Sequence, residues 1–308
     1  MILGIGGAVM MLAACTSAPA SPPANAVHSV ASTATLPGAA SGRLVFSSNR
    51  DGAYEQIYVM ALDGSGIRRL TNGDSDYFAG PWSPDGLHLL YTGFGLTHSF
   101  VGIMTADGTG QRDLTQRPDS DEGFPAWSPD GRRIAFTSRR EGNNEVYVMG
   151  ADGSDPINLT RSPADDFAPS FSPDGRSIAF VSDRDRTAGE YSMYAINADG
   201  TNLRRITAGP DIDYSPAWSP DDSRIAFRSD LKGQSDIHVI DVQSGQLQNL
   251  TEGEGNNWTP SWSPDSTQIL FQTNRDGNWE IYLMHADGSE PRNLTQNPAE
   301  DQYPYLQP

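Results

Sequence analysis

The sequence has few cysteines and few positively charged residues, and each shortage excludes a class of structure or function. Its single cysteine, Cys15, rules out a disulfide within the chain. Asp and Glu number 39 against 21 Lys and Arg, which gives a formal net charge of −18. Because nucleic-acid binding depends on cations that neutralise phosphates, this balance argues against a nucleic-acid partner. An acidic surface instead suits a basic protein partner or divalent cations.

The sequence also lacks the motifs of common hydrolytic enzymes. It contains no Gly-x-Ser-x-Gly elbow, no His-x-x-x-His pair and no thiol other than Cys15. Its five histidines occupy unrelated positions of the repeats described below, which argues against a shared metal centre. These absences favour a non-catalytic protein and predict no catalytic residue.

The N-terminal segment is typical of an export signal that ends at a lipid-attachment cysteine. Residues 1–14 are apolar and uncharged, too few to span a membrane but suited to the hydrophobic region of a secretory signal. They lead into Leu12-Ala13-Ala14-Cys15, which resembles the lipobox of bacterial lipoproteins, in which the cysteine carries the lipid. The alternatives are an ordinary export signal with a chance cysteine or a buried N-terminal strand.

Residues 15–42 are predicted to form a disordered tether, since they are mostly Ala, Ser, Pro and Thr with almost no charge. A lipid on Cys15 would anchor the mature chain at a membrane surface without spanning the membrane. Thr16-Ser17 lacks the Asp that resembles an inner-membrane retention signal. We therefore expect the periplasmic face of the outer membrane in a Gram-negative cell, and otherwise the outer face of the plasma membrane.

Residues 43–308 repeat with a period near 44 residues. The pair Leu-Thr, once Ile-Thr, begins at Leu70, Leu114, Leu159, Ile206, Leu250 and Leu294. The motif Trp-Ser-Pro-Asp begins at Trp82, Trp127, Trp218 and Trp262, with Phe171 in place of Trp once. Each unit has four short strand-like runs separated by turn residues, the last of them ending in Leu-Thr, which is typical of a β-propeller blade. The 266 residues predict an all-β, six-bladed propeller of four-stranded antiparallel blades.

The two ends of the repeat region predict how the ring closes. The first unit begins at its second strand, Arg43 to Ser48, with no Trp strand before it. The last unit is followed by residues 301–308, which align with 213–220 of another unit. The C-terminal segment therefore supplies the missing inner strand of blade one, which removes two open sheet edges. A frayed tail on an open array is the alternative.

The succession of Trp-Ser-Pro-Asp-Gly, Ile-Ala-Phe, Ser-x-Arg-Asp-Gly, Glu-Ile-Tyr-Val-Met, Ala-Asp-Gly and Leu-Thr resembles the TolB-type, WD40-like (PD40) propeller repeat. The pattern is clearest in 127–160 and 262–295, and the resemblance covers residues 43–308. It implies an extracytoplasmic envelope protein, with a Tol–Pal-like partner as one option. TolB itself is soluble and carries an α/β domain before its propeller, for which the 27 residues 16–42 leave no room. The resemblance thus implies a lipoprotein member without that domain.

The loops that enter the inner strands are acidic. Their carboxylates are Asp74, Asp76, Asp119, Asp121, Glu122, Asp165, Asp166, Asp211, Asp213, Glu252, Glu254, Glu300 and Asp301. Ring closure should gather them around the mouth of the central channel, where they would focus a negative potential. Such a ring could bind a basic peptide or Ca²⁺, which favours several oxygen ligands. Individual Asp residues could instead cap turns.

Aromatic residues follow these acids in every unit: Phe78, Phe124, Phe167, Tyr214, Trp258 and Tyr303. An acidic and aromatic rim resembles a platform for a peptide or a sugar. The alternative is that these rings pack against the adjacent proline and the neighbouring blade. With the aromatic residues, Asp76, Asp121, Asp165, Asp213 and Asp301 make up the predicted binding site.

A second set of loops on the same face normally reads Ser-x-Arg-Asp-Gly. Arg50, Arg140, Arg184 and Arg275 keep the arginine, which we expect to clamp neighbouring carboxylates or carbonyls. Blades two, four and five depart from the pattern, and we predict specificity residues there, Phe94, His98, Arg186 and Lys232. Loop drift without function is the alternative.

Together these features predict a monomeric binding scaffold of the cell envelope, anchored through Cys15, that receives a protein segment, or less favourably a glycan, at the acidic channel mouth. No cofactor is required by this interpretation. The alternative function is a metal-dependent hydrolase or lyase that uses carboxylates at the pore, because propellers support both functions.

Overall fold

The computed structural model describes residues 42–185, 190–207, 212–230 and 234–308. Within these ranges the chain forms only β-strands, joined by turns and short loops. In chain order the strands are β1 (Arg43–Ser48), β2 (Gln56–Ala61), β3 (Arg68–Arg69), β4 (Tyr77–Trp82), β5 (His88–Phe94), β6 (Ser99–Thr105), β7 (Arg112–Asp113), β8 (Glu122–Trp127), β9 (Arg133–Ser138), β10 (Glu145–Gly150), β11 (Ile157–Asn158), β12 (Asp166–Phe171), β13 (Ser177–Ser182), β14 (Ser192–Asn197), β15 (Arg204–Arg205), β16 (Asp213–Trp218), β17 (Arg224–Ser229), β18 (Asp236–Asp241), β19 (Leu247–Asn249), β20 (Asn257–Trp262), β21 (Gln268–Thr273), β22 (Glu280–His285), β23 (Arg292–Asn293) and β24 (Asp301–Leu306).

These strands form six antiparallel sheets of four strands each, which are the six predicted blades. Blades two to six each use four consecutive strands, whereas blade one has the order β24-β1-β2-β3. The C-terminal strand pairs with β1, placing Leu44 opposite Leu306 and Ser48 opposite Asp301. The predicted all-β fold and its closure by the C-terminal strand are therefore confirmed.

The six inner strands, β24, β4, β8, β12, β16 and β20, each contact the next around the ring. Between neighbouring blades lie apolar layers, such as the one in which Val45, Ile57 and Val59 of blade one meet Trp82 and Leu89 of blade two. Burial of such side chains stabilises the fold by about 1.5–3 kcal/mol each relative to exposure. The core is therefore a set of inter-blade layers rather than one central cluster.

The Trp-Ser-Pro-Asp motif builds the turn between the first two strands of a blade. In blade three the Ser128 hydroxyl donates to Asp130 Oδ1 at 2.6 Å and accepts the N–H of Arg133 at 2.9 Å. The same pair of bonds recurs with Ser83, Ser172, Ser219 and Ser263. Hydrogen bonds of this kind satisfy turn N–H groups that the sheet leaves unpaired.

The Leu-Thr pair lies just beyond the outer strand instead of within it, because the threonine hydroxyl takes over the pairing there. In blade one the Ile57 N–H donates to Thr71 Oγ1 at 2.9 Å. The same bond recurs at Thr115, Thr160, Thr207, Thr251 and Thr295. The outer strands consequently have only two or three paired residues. The predicted outer strand exists, but it is shorter and begins earlier than the motif suggested.

The described part of the chain includes no helix with the length and apolar character needed to cross a membrane. The predicted signal peptide, the lipidated Cys15 and the tether all lie outside the described residues, so they stay predictions.

Candidate functional site at the channel mouth

The loops that enter the inner strands lie against the loops between the second and third strands. Asp76, before β4, accepts the N–H of Glu55, which lies before β2, at 2.8 Å. Asp121 accepts the N–H of Ser99 at 3.0 Å, and Asp165 that of Asn144 at 2.8 Å. Both loop sets therefore share one end of the ring, as predicted. We call this end the channel mouth.

A β-bulge interrupts every inner strand close to the channel mouth. The third residue of the strand has a positive φ in five blades, at Phe124, Ala168, Ser215, Thr259 and Tyr303, with φ between 50° and 54°. The preceding blade supports this strained backbone in places, since Thr137 Oγ1 accepts the N–H of Ala168 at 3.0 Å and Gln272 Oε1 that of Tyr303 at 2.9 Å. Bulges of this kind change the direction of a side chain.

The bulge explains why the six predicted aromatic residues do not occupy one repeat position. The second residue of the inner strand is aromatic in blades two, four, five and six, where it is Phe78, Phe167, Tyr214 or Trp258. Blades three and one have Gly123 and Gln302 there, and the third residue is aromatic instead, as Phe124 or Tyr303. Each blade therefore contributes one aromatic side chain. We call these six residues the mouth aromatics.

The structure brings the mouth aromatics together in two arcs. In one arc the centroid of Phe167 lies 6.5 Å from that of Phe124 and 6.2 Å from that of Tyr214. The Arg228 guanidinium continues this arc, with its carbon 4.6 Å from the centroid of Tyr214 and 4.4 Å from that of Trp258. A cation between two ring faces links blades five and six.

The second arc joins blades one and two. The Phe78 centroid lies 4.9 Å from that of Tyr303 and 5.0 Å from that of Phe94. Phe78 is buried, as is Phe167 of the first arc, so for these two the alternative of packing between blades describes the contacts. Phe124 is 38% exposed, and Tyr214, Trp258 and Tyr303 are half-buried. These four present ring surface at the mouth.

Several predicted acids are buried clamps and do not face solvent. A carboxylate oxygen lies 2.8 Å from an arginine Nη2 in three pairs: Glu122 with Arg140, Asp166 with Arg184, and Asp301 with Arg50. The remaining clamp arginine, Arg275, donates to Asn257 at the equivalent position at 3.2 Å. Asp213 is also buried and accepts the Ser229 hydroxyl at 2.8 Å. The arginines of the Ser-x-Arg loops are therefore the structural clamps that the sequence indicated.

Burial governs the titration of one of these clamped acids. Asp166 is completely buried, and its pKa is raised to about 6, chiefly by burial. Hydrogen bonds from Ser182 and Arg184 act in the opposite direction and hold the pKa below what burial alone would give.

The other predicted acids fall into two groups. Four are half-buried and accept a backbone N–H from the neighbouring loop: Asp76, Asp121, Asp165 and Glu300. This resembles the predicted capping of turns, except that each carboxylate caps the adjacent loop and not its own. Asp74, Asp119, Glu252 and Glu254 are exposed, and we call them the rim acids. Asp211 lies outside the described residues.

The fit of a calcium ion to this face depends on free carboxylate oxygens. Among the residues that the structure describes, no group of three or more His, Cys, Asp or Glu side chains is arranged to hold a metal ion. Most carboxylates of the mouth are engaged by arginines or N–H groups, as described above. Calcium therefore stays a prediction, and no step of the proposed function depends on it.

Two of the predicted specificity residues lie in the blade-two loop. Phe94 joins the aromatic arc through Phe78, and the His98 Nδ1 lies 3.2 Å from the Thr97 hydroxyl. The tip of this loop, Leu96, is fully exposed. The other two, Arg186 and Lys232, lie outside the described residues and stay predictions.

One further repeat position, not predicted from the sequence, contributes directly to the mouth. The residue at the start of the third strand is Glu55, Asn144, Tyr191, Ser235 or Trp279, each just before the strand, or Ser99, the first residue of β6, and we call it the gate position. Tyr191 lies 5.0 Å from Phe167 between ring centroids, and Trp279 lies 4.5 Å from Trp258. The sequence did contain a signal for this position. The third strand that follows it is regular, yet the chemical type of this residue differs from blade to blade.

Glu55 is the ionisable member of the gate position. Its side chain is only 9% exposed, and its Oε2 has no hydrogen-bond partner among the described residues. Burial raises the pKa of its carboxyl to about 8, and the negative charges of Asp76, Asp301 and Glu300 add to the shift. Asn144 Oδ1, also at the gate position, is likewise buried without a partner in the described part of the chain.

Comparison with solved structures places this arrangement among known propellers. TolB from Acinetobacter baumannii is 22% identical with a TM-score of 0.77, covering 89% of this chain and 68% of that one. A putative TolB from Agrobacterium tumefaciens is 22% identical with a TM-score of 0.65, covering 82% and 87%. An oligogalacturonate lyase in complex with manganese is 18% identical with a TM-score of 0.59, covering 83% and 74%. At these identities the likeness concerns the fold.

Comparison with curated protein sequences finds no significant match. The family model of the TolB beta propeller domain matches residues 79–211, 186–252 and 210–308. These matches together span most of the chain and all the blades that follow the first. The chain therefore belongs to the TolB β-propeller family.

Proposed function

We propose that this protein is a non-catalytic binding scaffold of the cell envelope that holds a protein segment at its channel mouth. The observation that carries the proposal is the contribution of one aromatic residue by every blade, with Arg228 stacked between Tyr214 and Trp258. Trp, Tyr and Arg are enriched among the few residues that supply most of the binding energy at protein interfaces. A repeat that served the fold alone would not require the aromatic residue to change position in blades one and three.

The charge around these rings indicates the kind of segment. The rim acids are exposed, and the whole chain carries a net charge of −18. A segment with basic and apolar side chains would complement both the rings and the rim. A glycan could stack on the same rings, but it would not use the acidic rim. A protein segment is therefore the preferred ligand, and a Tol–Pal-like component is one candidate.

The proposal is tested by crosslinking the protein in its native envelope, identifying the captured partner and measuring its affinity for purified variants. We expect Phe124→Ala and Trp258→Ala each to weaken binding by about tenfold or more, because both remove ring surface at the mouth. Ile157→Ala is the matched control, since Ile157 is 57% exposed on the outer strand of blade three. Unchanged affinity in both mouth variants would exclude the mouth as the binding site.

Attachment to a membrane is proposed from the sequence around Cys15. The lipobox-like segment supports a lipid on this cysteine and, with it, an extracytoplasmic location. Cys15→Ala should move the protein from the membrane fraction to the soluble fraction without altering the thermal stability of the propeller. Retention in the membrane fraction would contradict the tether.

The alternative function, a metal-dependent hydrolase or lyase, has support only at the level of the fold. The similar oligogalacturonate lyase structure contains manganese, and this chain shares its fold at 18% identity. A thermal-shift titration with Ca²⁺, Mn²⁺ and EDTA distinguishes the two functions. A rise in the melting temperature with metal, reversed by EDTA, would favour the metalloenzyme, whereas the scaffold requires no response.

A further inference from the structure

We infer that Glu55 is the residue at the channel mouth that receives a cationic group, an ammonium or guanidinium, of the bound segment. The inference rests on the proposed function, because it names the chemistry that this site recognises. A single carboxyl, that of the gate residue Glu55, is thereby assigned as the cation receptor, whereas the thirteen acids of the inner-strand loops predicted only a general acidic surface.

The surroundings of Glu55 contain three acids from two distant parts of the chain. Asp76 precedes β4 of blade two, Glu300 precedes β24, and Asp301 begins β24, and all three act on the carboxyl electrostatically. The charge of Glu55 also acts on Tyr303 of β24 and contributes to raising the pKa of its hydroxyl. The charges that raise the pKa of Glu55 are all negative. Two arginines act on its neighbours: Arg50 is bound to Asp301, and Arg228 acts on Tyr303, whose pKa it lowers.

The acids around Glu55 already have partners, whereas the Glu55 carboxyl has none at Oε2 among the residues that the structure describes. Asp301 is bound to Arg50 at 2.8 Å, Asp76 accepts the Glu55 N–H at 2.8 Å, and Glu300 Oε2 accepts the Trp279 N–H at 2.8 Å. Glu55 Oε2 is buried and lacks a partner within the described ranges. A buried carboxyl oxygen without a partner is costly, and a hydrogen-bond donor from a ligand would remove that cost.

A cation fits this position better than a neutral donor. Every nearby charge that acts on Glu55 is negative, so an ammonium group placed there gains attraction from several carboxylates in a partly desolvated site. The half-buried Tyr303 is near enough to interact electrostatically with Glu55, and its ring could cover the methylene groups of a lysine side chain. The arrangement therefore suits a lysine or arginine that enters beside the aromatic arc of blades one and two.

Occupation of this site requires that a proton leave. In the free protein the pKa of the Glu55 carboxyl is about 8, so the group is largely protonated at neutral pH. When an ammonium group binds, the O–H bond of the carboxyl breaks, the proton passes to solvent, and the carboxylate accepts the N–H bonds of the ligand. Binding should therefore release up to about one proton per ligand near pH 7, and almost none above about pH 9.

The test uses butylammonium, which mimics a lysine side chain, with butanol as its neutral counterpart. Binding to the purified full chain is measured by NMR titration, and proton release by calorimetry in buffers of different ionisation enthalpy. We expect the affinity for butylammonium to rise by up to about tenfold per pH unit below the pKa of Glu55 and to level off above it. Butanol should show no such dependence.

Two variants make the result specific to Glu55. Glu55→Gln keeps the shape of the side chain and should weaken butylammonium binding by about tenfold or more and abolish proton release. Asp155→Asn removes an exposed acid from the turn between β10 and β11, at the opposite end of the blade, and should leave both unchanged. Equal binding by wild type and Glu55→Gln, affinity that does not depend on pH, or no binding by the wild type would each overturn the inference.

The failure of this inference can be distinguished from that of the proposed function. If Glu55→Gln binds the identified partner as the wild type does while Phe124→Ala and Trp258→Ala do not, the channel mouth is the binding site and Glu55 is not its cation receptor. If all three variants bind the partner normally, the proposed site itself is wrong.

Discussion

The arginine of the Ser-x-Arg loop shows how one side chain fastens three parts of a blade. Arg140 Nε donates to Ser138 Oγ at 2.8 Å, and Arg140 Nη2 donates to Glu122 at the start of the inner strand at 2.8 Å. The guanidinium also lies over the ring of Tyr147, with its carbon 4.5 Å from the centroid. The same geometry holds for Arg50 and Arg184.

Removal of this clamp should destabilise the fold strongly. Arg140→Met leaves the buried Glu122 carboxylate without its cation, and we expect the free energy of unfolding to fall by about 3–5 kcal/mol. The measurement is urea unfolding followed by tryptophan fluorescence. In Arg140→Met/Glu122→Gln, which has no buried charge left, much of the loss should be recovered.

Arg176 is the matched control for this prediction, because it pairs with Asp174 at 3.8 Å on the surface and its side chain is 86% exposed. Arg176→Met should change the free energy of unfolding by less than about 1 kcal/mol. Equal effects of the two substitutions would mean that the buried pair has no special role.

The gate residue Glu55 should make stability depend on pH. Its pKa is raised to about 8 in the folded protein from 4.5, so the folded state holds a proton that the unfolded state has lost across that range. Stability from this group is therefore fully present below about pH 4.5 and declines by about 1.4 kcal/mol per pH unit until the folded pKa is reached.

Glu55→Gln removes this contribution, so the variant should gain stability over the wild type as the pH rises from about 5 to about 8. Urea unfolding of both proteins at several pH values measures the difference, with Asp74→Asn as the control for an exposed acid. A constant difference between Glu55→Gln and wild type across this range would contradict the raised pKa.

At the scale of elements, the C-terminal strand β24 closes the ring by pairing with β1 and by contacting β4 and β20 on either side. Beyond its end, the Gln307 N–H donates to the Arg43 carbonyl at 2.8 Å, and the Gln307 side chain donates to Gly86 of blade two at 2.8 Å. The last residues therefore hold β24 to the rest of blade one and connect blade one to blade two.

A chain that ends at residue 300 should lose this closure. We expect it to unfold at a lower temperature and to aggregate, since the unpaired edge of β1 is apolar and open to pairing with another chain. Differential scanning calorimetry and size-exclusion chromatography measure the two effects. Deletion of Pro308 alone, which is exposed, is the control, and a stable monomer of the shorter chain would show that β24 is dispensable.

At the scale of the whole molecule, the negative charge should guide the partner toward the mouth. With a net charge of −18, a basic partner is attracted over distances comparable to the Debye length, about 10 Å at 0.1 M salt. The association rate constant should therefore fall steeply as salt is added, whereas dissociation should change less.

Stopped-flow or biosensor kinetics with the identified partner measure this dependence. Replacement of Asp74, Asp119 and Glu252 by Lys should slow association and reduce its salt sensitivity, because these rim acids are exposed. Association that is insensitive to salt would argue for a neutral partner surface.

The sequence predicted much of this molecule because a propeller is built from local repeats. The spacing of the Leu-Thr pairs predicted six blades, and the alignment of residues 301–308 with 213–220 predicted the closing strand. The arginine clamps could also be predicted, because their motif repeats. Arg228 was not predicted, since it replaces Ser, Thr, Val or Gln of the other blades and one of the rings that it contacts, Trp258, belongs to the next blade.

The blade number, the strand order within blades two to six and the turns follow from the amino-acid sequence alone, because each depends on residues close together in the chain. Which acids face solvent follows from the folded arrangement, since burial depends on contacts between blades: Asp301 and Glu122 are enclosed, whereas Asp74 is exposed. The fold also brings Glu55 close to Asp76, Glu300 and Asp301 and leaves its Oε2 without a hydrogen-bond partner in the described part of the chain. Residues separated by nearly the whole chain meet there because the ring closes.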